Sequence, residues 1–413
     1  MWARRAILVT FLAGAAVIPV HRAAAPPSCH QRRCAAEGSV RWTRPLPGSW
    51  VTGRAAGTVL AAGAAYAAAG PDVAVVGSGL TVRGYELRSG RLLWTAGLAV
   101  LRALGAGSAI VSVRAWPGVV TAGVSGAAAT AGPASRSEVV LSARTGAVIR
   151  SFPAAQYGGA AAADAGSTVI VGASSVTRYD NVTGHRSWSR PTGPVAQAWR
   201  RSDGELYVTV AAGGYLGTAP VTALRRINVQ TGAEEIVRPP GGRFAGTLSG
   251  AAAGAVFFSG AAGLTAYNGS TGEQLWQQAG AVPETVDTAA QALYVNQGGV
   301  LTGISPLTGA RLKNASIKGA SAFYQVRDGV ALGLDQGALG DAYGYSMPRH
   351  RVVWMIPGLP WPHYFVDLSG IGGSEDLAND TVLLAICAQL GSTGPAPAAG
   401  QPCSRPQLVA LRR

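Results

Sequence analysis

The chain has 413 residues and a formal net charge of +14, yet only 13% of its residues are charged, against roughly 25% in an average soluble domain. Its 57 glycines and 24 prolines suit many short strands joined by tight turns and argue against long helices. The arginines stand in ones and twos, as at Arg200-Arg201, Arg225-Arg226 and Arg412-Arg413, with no basic stripe. That excludes specific nucleic-acid binding and leaves a loose attraction to anionic cell-wall polymer or phospholipid headgroups.

Residues 1–25 read as a secretory signal peptide. Arg4 and Arg5 form the positive region, Ile7 to Val20 the apolar stretch, and Ala23 to Ala25 the small-residue cleavage site. The apolar run is short for a membrane span, and its retention would leave the protein membrane-associated through its amino terminus. Residues 26–39 read as a flexible segment. Removal of the leader leaves Cys29, Cys34, Cys387 and Cys403. An even number in an exported setting predicts two disulfides, either Cys29–Cys34 with Cys387–Cys403 or the crossed pairing. The Cys29 to Cys34 spacing is too wide for the usual half of a four-cysteine zinc site.

From residue 40 to 413 one phrase recurs. Gly38 to Gly48, GSVRWTRPLPG, is the second half of it. Val82 to Trp94, VRGYELRSGRLLW, is a full copy, followed by Val139 to Ile149, Val176 to Trp188, Leu224 to Ile236, Leu264 to Trp276 and Leu301 to Leu312. The fifth of these six, LTAYNGSTGEQLW, is the clearest: an alternating strand, an Asn-Gly-Ser-Thr-Gly turn and a returning strand, which is a hairpin. The turn glycines are Gly90, Gly146, Gly184, Gly232, Gly272 and Gly309. Repeats of this period, each holding several short strands, predict an all-β fold, a single β-propeller. Trp42, Trp94, Trp188, Trp276 and Trp354 fall at equivalent points and are expected to wedge one blade against the next.

In chain order the first blade spans about 58–97, with strands near Thr58–Ala62, Asp72–Gly77, Leu80–Glu86 and Arg91–Trp94. The second spans 101–153, lengthened by Gly118 to Ser137, whose Gly, Ala, Ser and Pro content reads as an inserted surface loop. The third covers 161–193, the fourth 195–239 with an expanded turn near Gly213, the fifth 246–280 and the sixth 282–318. In a degenerate seventh, Met347 to His350 replaces the Thr-Gly turn. The eighth starts near Tyr364, ends on Pro406 to Leu411 and borrows the amino-terminal strand, which closes the ring and removes its open edge. The count is eight blades. It becomes seven if the degenerate stretch is an insertion.

This phrase, with its Ala or Gly before an aromatic or aliphatic residue, its Thr-Gly and its Trp, resembles the repeat of the pyrroloquinoline-quinone-like β-propeller superfamily over residues 40 to 413. The superfamily includes quinoprotein dehydrogenases, an outer-membrane assembly lipoprotein and many exported bacterial proteins. The resemblance is to non-enzymatic exported members of actinobacterial type. Dehydrogenase members need calcium, the quinone, convergent carboxylate and amide ligands, an Asp base and stacking aromatics. No two cysteines here are adjacent, unlike the pair of alcohol-oxidising members, and no CxxCH follows. Asp164, Asp203, Asp287, Asp328 and Asp335 sit near strands and turns, where turn chemistry accounts for them as well as ligation does. No GxSxG has a histidine and an acid arranged around it.

His363, Tyr364 and Asp367 form the one cluster of titratable residues beside an aromatic stretch. The expected function is therefore that of a secreted, extracytoplasmic binding propeller, a monomer without cofactor, recognising a protein or cell-envelope component. Gly118–Ser137, Gly213–Pro220, Leu359–His363 and Gly370–Asp380 are the expected contact loops. The alternative is a dehydrogenase of an alcohol or sugar that depends on pyrroloquinoline quinone (PQQ) and calcium.

Overall fold

The computed structural model describes residues 40–45, 50–51, 65–69, 73–98, 108–125, 136–154, 159–172, 174–192, 195–202, 204–211, 220–287, 291–318, 323–327, 329–334, 339–360, 363–365, 381–386, 402–403 and 407–412. They form eight four-stranded antiparallel sheets and one two-stranded pairing. Seven sheets are simple meanders. The first holds Ala65–Ala69, Val73–Ser78, Thr81–Glu86 and Leu92–Gly97, and the fifth holds Thr247–Ala252, Ala255–Gly260, Gly263–Asn268 and Gln274–Gln278. First strands of successive sheets meet, as Val195–Ser202 meets Thr247–Ala252, which in turn meets Val282–Asp287. The first strands therefore make the inner ring, and the fourth strands lie outermost.

The hydrophobic core lies between blades. Val73, Val82 and Trp94 of the first blade share one cluster with Ile110, Val120 and Val139 of the second. Ala161, Val176 and Trp188 of the third pack on Leu206 and Ile227 of the fourth, and Leu224 of the fourth packs on Phe244, Phe258 and Tyr267 leading into and within the fifth. Such strands are covered on both faces, so they read as continuous apolar runs without alternation. Ala255–Gly260, with Val256, Phe257 and Phe258 fully buried, is the plainest case.

The eighth sheet closes the ring. Its order is Val40–Pro45, Gln407–Arg412, Thr381–Ile386, His363–Phe365, with Trp42 opposite Ala410 and Thr43 opposite Val409. The degenerate stretch is a complete seventh blade: Phe323–Arg327, Val330–Leu334, Leu339–Ser346 and Arg351–Pro360. The count is eight.

Three expectations are corrected. The segment Gly118–Ser137 is not one loop, because Val119–Ser125 and Arg136–Ser142 are paired strands of the second blade. Val119, Val120, Ala122 and Val124 are fully buried, so small residues packed on both faces carry the composition of a loop without being one. Leu359 and Pro360 likewise end the last strand of the seventh blade, and His363 begins the eighth. The two expected disulfides are not found. No disulfide bond is present among the described residues, and Cys403 sits in the short pairing in which it opposes Trp50 and Pro402 opposes Val51. Backbone pairing ties the described ends of the chain together. Cys29, Cys34 and Cys387 lie outside the described residues, as do the leader, the segment 26–39, Thr58–Ala62 and Gly370–Asp380 up to its last residue.

Candidate interaction surface

The repeated phrase builds one glycine turn six times between the third and fourth strands, and five of the six share a side-chain cap. The first polar residue of the turn (Ser142, Asp180, Asn228, Asn268 or Ser305) accepts from the backbone N–H of the Thr three residues on, at 2.6 to 3.3 Å. The Thr hydroxyl then accepts from the N–H two residues further, at Ala147, His185, Ala233, Glu273 and Ala310. The glycine N–H closes the loop onto the carbonyl four residues back, as from Gly272 to Asn268 at 2.9 Å. All six glycines have φ between 66° and 76°. Polar side chains thus replace strand pairing where the chain reverses, which is the reason Asn, Asp, Ser and Thr recur there.

Glycine is also required by the neighbouring blade. A Cβ at Gly90 would press into Trp42, at Gly146 into Trp94, at Gly232 into Trp188 and at Gly309 into Trp276. Each indole N–H crosses the same seam: Trp42 to the Leu87 carbonyl (2.9 Å), Trp94 to Ala143 (2.8 Å), Trp188 to Gln230 (3.3 Å) and Trp276 to Pro306 (2.9 Å). Within its own blade the ring lies flat over the third strand, where Gly84 faces Trp94 and Ala266 faces Trp276. That explains the Ala or Gly before the aromatic. A second clamp was present in the sequence but not read. Two residues after the Trp, Arg44, Arg190 and Gln278 donate to the carbonyls of Gly90, Gly232 and Gly309 at 2.6, 2.6 and 2.9 Å. The signal was Trp-x-Arg or Trp-x-Gln. Blade two uses Arg150 in place of Trp, donating to Val182 O at 2.7 Å.

With the seams filled, the residue two before the Trp position varies from blade to blade, facing outward in most and buried as Val352 in the seventh. In the eighth, first and second blades this position holds Val40, Leu92 and Val148, which are 40%, 50% and 41% exposed. Leu93 beside them and Val182, on the turn of the third blade, are 37% and 75% exposed; Ile236 of the fourth blade and Val282 and Leu307 of the sixth are 44%, 57% and 48% exposed. Exposed Arg88, Arg91, Arg144 and Arg186 intersperse the run on the eighth to third blades. In the third to sixth blades the same position is polar: Arg186, Glu234, Gln274 and Arg311. Sequence reasoning missed this arc because a strand residue's exposure depends on which neighbour covers it.

Of the charged groups inside the ring, some join neighbouring blades and others brace their own. Within the second blade, buried Glu138 lies 3.8 Å from Arg136, which donates to Ser112 Oγ at 2.9 Å, and Arg114 donates across to the Ala160 carbonyl of the third. Asp164 caps its own turn, accepting from Gly166 and Ser167 N–H at 2.8 and 2.7 Å. Asp287 is buried and accepts from Gly329 N–H of the next blade at 3.1 Å. Beside it, burial first and the Asp287 charge second push the Tyr294 phenol up to about 12. The turn hydrogen bonds from Thr183 hold the exposed Asp180 carboxyl below its ordinary range. His363 and Tyr364 lie on the innermost strand of the eighth blade; Asp367, Asp203, Asp328 and Asp335 lie outside the described residues. His185 and His350 are on exposed turns. Calcium takes about six to eight oxygen ligands. Among the described residues no three His, Cys, Asp or Glu side chains converge, and the described candidates Asp164 and Asp287 are spent on backbone N–H groups. The described residues do not fit a calcium–quinone centre.

Residues 172–331 match the family model described as outer membrane protein assembly factor BamB. Two quinohemoprotein alcohol dehydrogenases are similar in fold. The enzyme ADHIIG from Pseudomonas putida HK5 is 13% identical, with a TM-score of 0.51 over 91% of this chain and 76% of that one. The enzyme from Comamonas testosteroni is 9% identical, with a TM-score of 0.50 over 92% and 78%. The chain has the fold of the PQQ-like β-propellers. BamB from Moraxella catarrhalis is 18% identical, with a TM-score of 0.41 over 76% of this chain and 92% of that one. No curated protein matches the chain. At these identities the likeness reaches the propeller and no further, because the shared phrase builds turns and seams and leaves the rim free to vary. Among the described residues no helix is long and apolar enough to cross a membrane.

Proposed function

We propose that this chain is an extracytoplasmic binding propeller, a non-enzymatic exported member of the superfamily of actinobacterial type. It is exported by residues 1–25, carries 26–39 as a flexible lead, and acts as a monomer on a protein or other cell-envelope component. The observation that carries the reading is the run of exposed aliphatic residues on the eighth to third blades, Val40, Leu92, Leu93, Val148 and Val182, set among arginines; among the described residues it is denser than on the fourth and sixth blades, where Ile236, Val282 and Leu307 are exposed. Apolar side chains held outward by strands, with cations between them, suit a partner surface that is apolar and acidic. The match of 172–331 to a family named for outer-membrane protein assembly supports binding over oxidation. The same cations would favour peripheral contact with anionic headgroups.

The test is capture of partners from cell envelope by the full chain. The Leu92→Glu, Val148→Glu double variant changes exposed positions and is expected to melt as the parent does while losing about tenfold in captured partner, a loss of the size expected when one or two anchors are removed. Equal capture by parent and variant would contradict the proposal.

A further inference from the structure

The hydrogen bonds of the repeated turn leave one of its positions without a task. The first residue caps, the Thr and the glycine close the loop, and the residue after the cap points inward, so that Leu87, Asn181, Val229 and Met347 are buried. The third residue is the exposed tip: Arg88, Arg144, Val182, Gln230, Ser270, Leu307 and Pro348. In five blades the N–H of the residue after the cap donates to the turn between the first and second strands. These bonds run from Ala143 to Gly118, Asn181 to Gly166, Val229 to Gly204, Gly269 to Gly254 and Met347 to Gly329, at 2.7 to 3.0 Å. Both turns of a blade thus lie side by side at one end of its sheet. Because seven blades are the same meander around one ring, their tips share one face of the molecule.

Charge on that face is uneven. In the seventh, first, second and third blades the turn and its flank carry exposed Arg349, Arg351, Arg88, Arg91, Arg144 and Arg186. Of the carboxylates there, Glu86 accepts from Ser89 Oγ at 2.5 Å and lies 3.6 Å from Arg91, and Asp180 caps its own turn. Among the described residues no carboxylate is ion-paired with Arg144, Arg186, Arg349 or Arg351. The fourth blade is the opposite case. Arg225 pairs with Glu234, and Arg226 with Glu205 and Glu235. The fifth turn adds Glu273 and no cation. In a ring of eight these two blades stand across from the eighth and the first. Arginines that stand singly along the chain are therefore gathered on one side of one face, because the turn recurs once per blade.

Cations left uncompensated over such a breadth suit a partner that is itself anionic and broad. Val182, the most exposed large hydrophobic residue among the described ones, is a tip between these cations, and Leu92 and Val148 begin the strands just beneath. Aliphatic side chains among arginines on a level face match the boundary between lipid headgroups and acyl chains. We propose that the turn face from the seventh blade round to the third is a seat for an anionic phospholipid bilayer. Its arginines meet headgroup phosphates and Val182 enters the interface. This rests on the binding reading above and narrows its cell-envelope component to lipid.

Sedimentation of the full chain with vesicles tests it, comparing neutral phosphatidylcholine with mixtures containing phosphatidylglycerol. Neutral vesicles read whatever residues 1–25 contribute. The parent is expected to bind the anionic vesicles more tightly, and less so as salt rises. Arg88→Gln with Arg144→Gln should lower that binding about thirtyfold, the loss expected from two arginines at an anionic surface. Gln230→Glu with Ser270→Glu shifts net charge equally at the same turn position across the ring, and should cost less than about twofold, because charges beyond a Debye length from the contact are screened. Val182→Ser changes no charge and should cost about fivefold through lost apolar burial. All these positions are exposed, so each variant is expected to melt as the parent does. Parent binding no tighter to anionic than to neutral vesicles, equal losses in the two charge pairs, or binding indifferent to Val182→Ser overturns the proposal. If the arginine pair loses a captured envelope protein while vesicle binding is unchanged, the partner is an acidic protein: the bilayer seat falls and the binding reading stands.

Discussion

At the scale of single residues, Asp180 separates what a side chain's shape contributes from what its charge contributes. Its Oδ1 accepts from Thr183 N–H and Thr183 Oγ1, at 2.6 and 2.9 Å, and these bonds hold the carboxyl below its ordinary range. A carboxyl lowered in the folded state adds stability above its unfolded value, and that contribution fades as pH falls through the folded one. Asn228 and Asn268 do the same job with an amide oxygen. Asp180→Asn is therefore expected to fold normally and to be less stable than the parent at neutral pH. The gap should close as pH falls below the ordinary Asp range of roughly 3.9. Melting temperatures across that range check it, and a gap that stays constant down to the lowest pH would show that charge plays no part.

At the scale of the element, the turn between the third and fourth strands was legible in the sequence because its hydrogen bonds are local. Asn268, Thr271 and Gly272 carry their own geometry wherever they stand. The seams were legible only in part. A Trp at a fixed offset announced a packing role, but its partner is a glycine 33 to 52 residues further on, and the Arg44 and Arg190 clamps needed that partner in view. The strand Val119–Ser125 was illegible as a strand because Ala122, Gly123 and Ser125 between valines look like linker, and only burial on both faces distinguishes them. The double duty of the turn glycine gives a prediction. Gly146→Ala both strains a residue at φ of 70° and drives its Cβ into Trp94, whereas Gly254→Ala, at φ of 77°, meets open space. The Gly254 change is expected to cost about 1 kcal/mol from backbone strain, and the Gly146 change at least about 2 kcal/mol more from displacement of the indole. Denaturant unfolding of both variants checks the difference, and equal costs would remove the seam role of Gly146.

At the scale of the whole molecule, eight sheets share their core pairwise, so the ring holds together through seams. Asp287 ties the sixth blade to the seventh by accepting from Gly329 N–H. The rim is uneven because the seams fix only the Trp, the glycine and the clamp; the position two before the Trp is free to be Val40, Leu92 and Val148 on one side and Glu234, Gln274 and Arg311 on the other. Exposed aliphatic side chains are denser on the eighth to third blades than on the fourth and sixth, where Ile236, Val282 and Leu307 stand, and the denser side is the proposed binding face. Site-specific photo-crosslinking in cell envelope tests it most directly, with the crosslinker placed at that position in each blade in turn. A partner should be captured from Val40, Leu92 and Val148 and not from Gln274 or Arg311; capture spread evenly around the ring, or confined to the polar side, would contradict the account.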